Sequence, residues 1–208
     1  MTSPTDNPRK RPKGDKRART RAKLLQAARE LVQEKGYAHT TMEDVARRAG
    51  MTSGAIYGNF KNRAELFVAL GQTYWAPIKP EIGPGATFAE TMRALAAAAI
   101  AVIPERASAA AGRLTGMAYA VNNEELSAQL REVTARSYEW GATWLASEGR
   151  AGELPMPPDL LVRVIHALTE GLVLQKLLTP ELVPDEVFYA AFAALAGECQ
   201  TGSPQRCM

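Results

Sequence analysis

Between Thr40 and Lys61 the chain carries Thr40, Thr41, Thr52, Ser53, Tyr57, Asn59 and Lys61, side chains that offer hydroxyls, an amide and an ammonium. Groups of this kind donate to and accept from nucleic-acid base edges and phosphate oxygens. Thr52, Ser53 and Asn59 are the side chains expected to reach base edges. Gly54 and Gly58 let the backbone approach closely, and Ala55 offers a methyl to a thymine methyl. So few hydrogen-bonding arms shift the burden of specificity to DNA shape and to arginines entering a minor groove.

Two short helices across a tight turn are needed to present these residues. Thr41 followed by Asp44 is a capping-box-like start, and Val45, Ala46 and Ala49 give the first helix an apolar face. Gly50 supplies the turn and Met51 plugs the corner. Thr52 caps the second helix, and Ile56 and Phe60, four apart, bury one side of it while Ser53, Gly54, Tyr57 and Gly58 lie on the other. A second helix held in this way can enter a major groove. Upstream, Leu24, Leu25, Ala28, Leu31 and Val32 form a single helical stripe closed by Gly36, which fits a supporting helix whose task is packing.

The run from Thr40 to Lys61, the preceding stretch from Arg21 to Tyr37 and the following one from Tyr57 to Phe67 together resemble the DNA-binding head of the TetR family of bacterial repressors, over roughly residues 16 to 75. Gly58, where many members carry a large side chain, and Arg63 depart from the family pattern. The resemblance implies that Thr41, the Tyr57 hydroxyl and Lys61 clamp the DNA backbone. It also implies that the chain pairs with a second copy, and that binding of a small molecule alters its grip on DNA.

Charge is divided as this reading requires. Residues 1–70 hold 15 Lys or Arg against 7 Asp or Glu, a net of +8, and residues 71–208 hold 10 against 15, a net of −5; together these give the whole-chain +3. Residues 1–15, with Arg9, Lys10, Arg11, Lys13 and three prolines, are expected to form a disordered basic arm drawn to phosphate. The 208 residues, 46% hydrophobic, suffice for one substantial core and a small head. No apolar run approaches the roughly 20 residues that span a bilayer, and no apolar signal core follows the basic N-terminus. A cytoplasmic protein with no membrane partner is therefore expected. Cys199 and Cys207 would close only a small loop and are expected to be reduced thiols near a flexible tail over 201–208.

The expected fold is all-α: a helix-turn-helix domain over 16–61, then an effector-binding and dimerisation domain over 62–200. Proline and glycine end the fourth helix at residues 77–85. Thr87 with Glu90 opens a helix through Val102, further helices run from about Ala107 to Ala120 and from Asn123 to Ser147, and the last two cover Asp159 to Leu178 and Asp185 to Gly197. No strand pattern or repeat is present. These last two helices are apolar around more than one face, which requires either a larger intrachain core or two-fold pairing with a second copy, the latter being what the family resemblance implies. Leu161, Ile165, Leu168, Leu172, Phe188, Phe192 and Leu195 are the expected interface residues.

An effector chamber is expected to draw on Tyr74, Trp75, Met92, Met117, Tyr119, Tyr138, Trp140, Trp144, His166 and Glu170, suiting an apolar, aromatic or cationic guest. The sequence contains no nucleophile elbow, no phosphate-cradling glycine loop and no metal-ligand cluster, and its two histidines, His39 and His166, are far apart. Neither an enzyme nor a cofactor is expected. The function expected is that of a homodimeric, ligand-responsive regulator on a palindromic double-stranded operator; the alternative is a helical small-molecule-binding or adaptor protein with only non-specific DNA affinity. In the DNA-competent form two reading helices would sit about 34 Å apart, and a ligand would act by favouring a form in which that spacing is lost.

Overall fold

The computed structural model describes residues 13–147 and 154–197. The expected arm up to residue 12, the tail over 201–208, and Cys199 and Cys207 lie outside the described residues. Among the described residues every regular element is a helix: α1 (Lys13–His39), α2 (Met42–Arg48), α3 (Ser53–Tyr57), α4 (Arg63–Tyr74), α5 (Phe88–Ala101), α6 (Ile103–Ala107), α7 (Ala110–Val121), α8 (Glu124–Ser147), α9 (Pro158–Leu178) and α10 (Asp185–Leu195). The last three residues of the expected arm thus already belong to α1. The described residues form two units, one made of those up to Thr73 together with Thr115–Leu126, the other of Tyr74–Leu114 with those from Ser127 onward.

The first unit is built on the stripe of α1. Leu24 and Ala28 are fully buried, with Leu25, Leu31 and Val32 nearly so, against Val45 of α2, Ile56 of α3, Phe60 and Leu66. Each such aliphatic side chain contributes about 2 kcal/mol when taken from water. Gly36 interrupts α1 at φ 79°, a backbone conformation that carries no penalty only for glycine, and Gly50 turns α2 into α3 at φ 66°. The second half of α7 completes this unit. The Tyr119 ring stacks on Tyr37 at 5.9 Å between centroids, and Phe67 meets Tyr37 edge-on at 4.9 Å.

Arg63 ties that corner together, donating to the carbonyls of Thr40 (2.7 Å) and Tyr37 and to the Tyr119 hydroxyl (2.8 Å). The residue that departs from the family pattern therefore has a structural task. Asn62 caps α4 by accepting from the Glu65 amide at 2.8 Å and donates to the Glu125 carboxylate at 2.7 Å.

In the second unit Thr87 and Glu90 form the expected capping box at the start of α5. Phe88, Met92, Leu95, Ala96 and Ala99 of α5 share one core with Phe188 and Phe192 of α10, Leu161 and Val173 of α9, Leu145 of α8, and Trp75. The short α6 is absent from the sequence expectation. Pro104 falls in its first turn, where a missing N–H costs nothing, so the proline begins a helix rather than only ending the one before it.

The core covers part of the expected partner face. Leu161, Phe188 and Phe192 have no exposure at all within the single chain, and Ile165, Leu168, Leu172 and Leu195 are half-buried against the same core. An aromatic side chain wholly enclosed by its own chain has no surface to offer a second copy. The large apolar residues left open on these two helices are Leu160, Val164 and Leu178 on α9, and Val187 and Tyr189 on α10.

Candidate nucleic-acid interface

The helix-turn-helix is held by local bonds at both starts and by apolar contact at the crossing. Thr41 Oγ1 accepts from the Asp44 amide at 3.1 Å and Thr52 Oγ1 from the Ala55 amide at 3.3 Å, so both hydroxyls act as N-caps. Asp44 gathers Lys35, Thr41 and Arg47, and hydrogen bonding led by Lys35 holds its carboxyl far below the usual range. Arg48 reaches back to α1 as a fork on Glu34, at 2.8 and 2.6 Å, which lowers the Glu34 pKa and raises that of Arg48.

The predicted contact residues divide into three groups. Thr52, Ser53, Gly54 and Gly58, on α3 and its two caps, are exposed, with Ala55 half-buried. They form the surface available to a groove. Tyr57, half exposed, donates its hydroxyl to Glu43 Oε1 at 3.0 Å, and this bond raises the phenol pKa. Lys61 is exposed, its own amide donating to Glu65 at 2.7 Å, and Thr41 is exposed at the start of α2.

Thr40 and Asn59 do not join that surface. Thr40 is fully buried and donates its hydroxyl to the Gly36 carbonyl at 2.9 Å, fastening the exit of α1, so its expected DNA contact is replaced by a packing role. Asn59 turns inward and donates to the Ala55 carbonyl at 2.8 Å, while its own side-chain oxygen is buried without a hydrogen-bond partner. A base contact from Asn59 would first have to break that bond. A Cβ on Gly58 would stand 3.1 Å from the Gly54 carbonyl oxygen, a tight contact at the end of α3.

Sequence reasoning missed three supports of this surface. Arg21 lies over the Phe60 ring at 4.3 Å and donates to the Asn59 carbonyl at 3.0 Å, and Arg17 reaches the Gly58 carbonyl at 3.5 Å. Two cations thus hold the C-terminal end of α3, where carbonyls and the helix dipole favour positive charge. Glu43 is the third, through Tyr57.

The residues expected to line an effector chamber are also divided. Trp75 donates its indole N–H to both Glu170 oxygens at 3.0 Å, so these two are brought together. His166 instead meets the Tyr138 hydroxyl, at 2.7 Å, on the exposed side of α8 and α9, although it lies one turn from Glu170. Met92 is buried in the core, Trp144 packs partly buried against it, and Tyr74 is half-buried. Trp140 and Met117 are largely exposed, at 66% and 46%. Tyr119 belongs to the first unit, bonded to Arg63. Two residues absent from the expectation, Arg106 and Arg113, converge on Glu170.

Residues 24–70 match the family model described as bacterial regulatory proteins, tetR family. The HTH-type transcriptional regulator TtgR of Pseudomonas putida is 49% identical over 51 residues, 24% of each chain. The regulator AcrR of Shigella flexneri is 40% identical over 48 residues, 23% of this chain and 22% of its own. These curated matches therefore span about a quarter of the relatives' length. Among solved structures, native NalD, the secondary repressor of the MexAB-OprM multidrug efflux pump in Pseudomonas aeruginosa, is 25% identical, with 87% of this chain and 96% of that one covered and a TM-score of 0.54. Salmonella enterica GusR shares the fold at a TM-score of 0.63 and 18% identity, over 92% and 100% of the two chains. With a helix-turn-helix of this geometry, residues 24–70 form a DNA-binding head of the kind described as bacterial regulatory proteins, tetR family, and over a stretch of that size the chain is similar to HTH-type transcriptional regulators.

Proposed function

We propose that this protein is a small-molecule-responsive transcriptional repressor that binds a palindromic DNA operator as a homodimer in the cytoplasm, and that it is not an enzyme. The observation that carries the reading is the exposure of Thr52, Ser53, Gly54 and Gly58 on α3 and its two caps, a helix fixed by the buried Ile56, in the more basic half of the chain. Tyr57 and Lys61 flank that surface as phosphate contacts, with Tyr57 exchanging Glu43 for a phosphate oxygen on binding. Repression, rather than activation, is supported by likeness to NalD, which covers most of both chains.

Pairing is supported by the apolar stripe left on α9. Leu160, Val164, Ala167, Gly171 and Leu178 follow one another at helical spacing and all are exposed, with small residues at the centre that let a second helix approach. Val187 and Ala194 are exposed apolar residues of α10. No described helix is long and apolar enough to cross a membrane.

Operator selection from random DNA, followed by gel shift, tests the reading. The expected product is a palindrome with half-sites about one helical turn apart. Compounds that release it should bind free protein more tightly than DNA-bound protein by the same factor, because the coupling is reciprocal. Enrichment of no sequence would favour the alternative of a helical binding protein with only non-specific DNA affinity.

A further inference from the structure

The second unit contains a buried charge cluster that the core does not require. Arg106 of α6, only 4% exposed, directs one nitrogen to the Ala76 carbonyl and holds the other, Nη1, 3.6 Å from Glu170 Oε1. Arg113 of α7 donates from Nη2 to Glu170 Oε2 at 3.2 Å. Trp75 supplies its N–H to the same carboxylate, and its ring lies 4.5 Å from the Arg106 guanidinium and 5.5 Å from that of Arg113.

One carboxylate thus serves two guanidinium groups and an indole, leaving one positive charge uncompensated among them. Among the described residues the other acid that acts on Arg106 is Glu105, which is exposed. Two donors are also unmet: Arg106 Nη1 and Arg113 Nε are buried without a hydrogen-bond partner. A buried donor without an acceptor and a buried charge without a counter-ion are each costly, so sites of this kind are completed by something. The Arg113 and Glu170 side chains keep 28% and 27% exposure, and Trp75 belongs to the apolar core that also holds Met92 and Leu95.

We propose that Arg106, Arg113 and Trp75 form the polar end of the effector site and that the effector is an organic anion, a carboxylate carried on an apolar or aromatic body. This rests on the second unit being the effector-binding part of the regulator. Glu170 shows that a planar carboxylate suits these donors, and a second carboxylate would meet the vacant Arg113 and Arg106 nitrogens and cancel the remaining charge. A cationic guest, which the aromatic residues alone suggest, would instead face two guanidinium groups. Desolvation favours the same conclusion, because burial lowers the Arg106 pKa and an added anion would restore it.

Calorimetric titration of the full-length, DNA-free protein with benzoate, benzamide and benzylamine tests the assignment, since the three share a shape and differ in charge. Benzoate is expected to bind saturably, with the neutral and cationic probes at least about tenfold weaker. Arg113→Gln, which removes the more exposed of the two guanidinium groups, should lose benzoate affinity by a similar factor while keeping its melting temperature. Glu170→Gln, which removes the competing carboxylate, should bind benzoate more tightly than wild type; if it fails to fold, Arg113→Gln decides alone. Equal affinity for benzamide, an unchanged benzoate affinity in Arg113→Gln, or no saturable benzoate binding at millimolar concentration would each overturn the proposal. The readout needs no DNA, so its failure leaves operator binding standing, and a failure of operator binding leaves it standing.

Discussion

Lys61 and Tyr57 differ in what must be undone before they can touch a phosphate. Lys61 is exposed and its side chain needs only to shed water, so Lys61→Ala should weaken binding to all DNA sequences alike and lower the salt dependence by about one counterion. A gel-shift series across salt concentrations checks this; an unchanged slope would remove Lys61 from the contact. Tyr57 must leave Glu43, whose charge also repels the DNA backbone. Glu43→Gln should therefore tighten binding a few-fold on every sequence, measured by the same titration. Asp44 acts on stability. Its folded pKa is depressed by Lys35, Thr41 and Arg47, so its contribution is complete above the unfolded value near 4 and is lost as pH falls through that value towards the folded one. The gap in melting temperature between wild type and Asp44→Asn should be constant from neutrality down to about pH 5 and close below about pH 4.

Elements set by bonds three or four residues apart were legible in the sequence. The caps at Thr41, Thr52 and Thr87 and the turn at Gly50 depend only on neighbours along the chain, and each appears where its residues stand. What was not legible depends on partners distant in sequence. The Trp75–Glu170 bond joins positions 95 apart, and nothing local to Phe188 or Phe192 states that α5, rather than a second copy, covers them. Arg106 and Arg113 left a trace, two charged residues in an alanine-rich stretch, but their shared counter-ion lies on α9. The role of α7 in the head was equally hidden. A Cβ on Gly116 would stand 2.8 Å from the Tyr37 hydroxyl, in a ring already stacked on Tyr119. Gly116→Ala is expected to destabilise the protein by about 1–3 kcal/mol in chemical denaturation, despite the higher helix propensity of alanine. Gly112→Ala, one turn earlier on α7 with open space at its Cβ, is the control and should be neutral or stabilising.

For the molecule as a whole, the division between core and open apolar surface decides how pairing should be probed. A charge at Phe192 would be buried in the chain's own core and would unfold it, saying nothing about partners. Ala167→Glu places the charge on the exposed stripe of α9 instead. Sedimentation should then report a folded monomer with wild-type helix content that has lost affinity for the palindrome; a dimer in that variant would move the pairing face elsewhere. The composition of the head has a consequence for how this protein can be taken apart. Because Thr115–Leu126 supplies Tyr119 and Glu125 to residues that precede Thr73, the head is one body written in two pieces of gene. A fragment ending at Thr73 would strip Tyr37, Phe67 and Arg63 of their partner, and a chimera made by a single crossover there would pair this head with a foreign α7. Exchange of sensing parts between relatives, by engineers or by recombination, must carry that second piece along with the first.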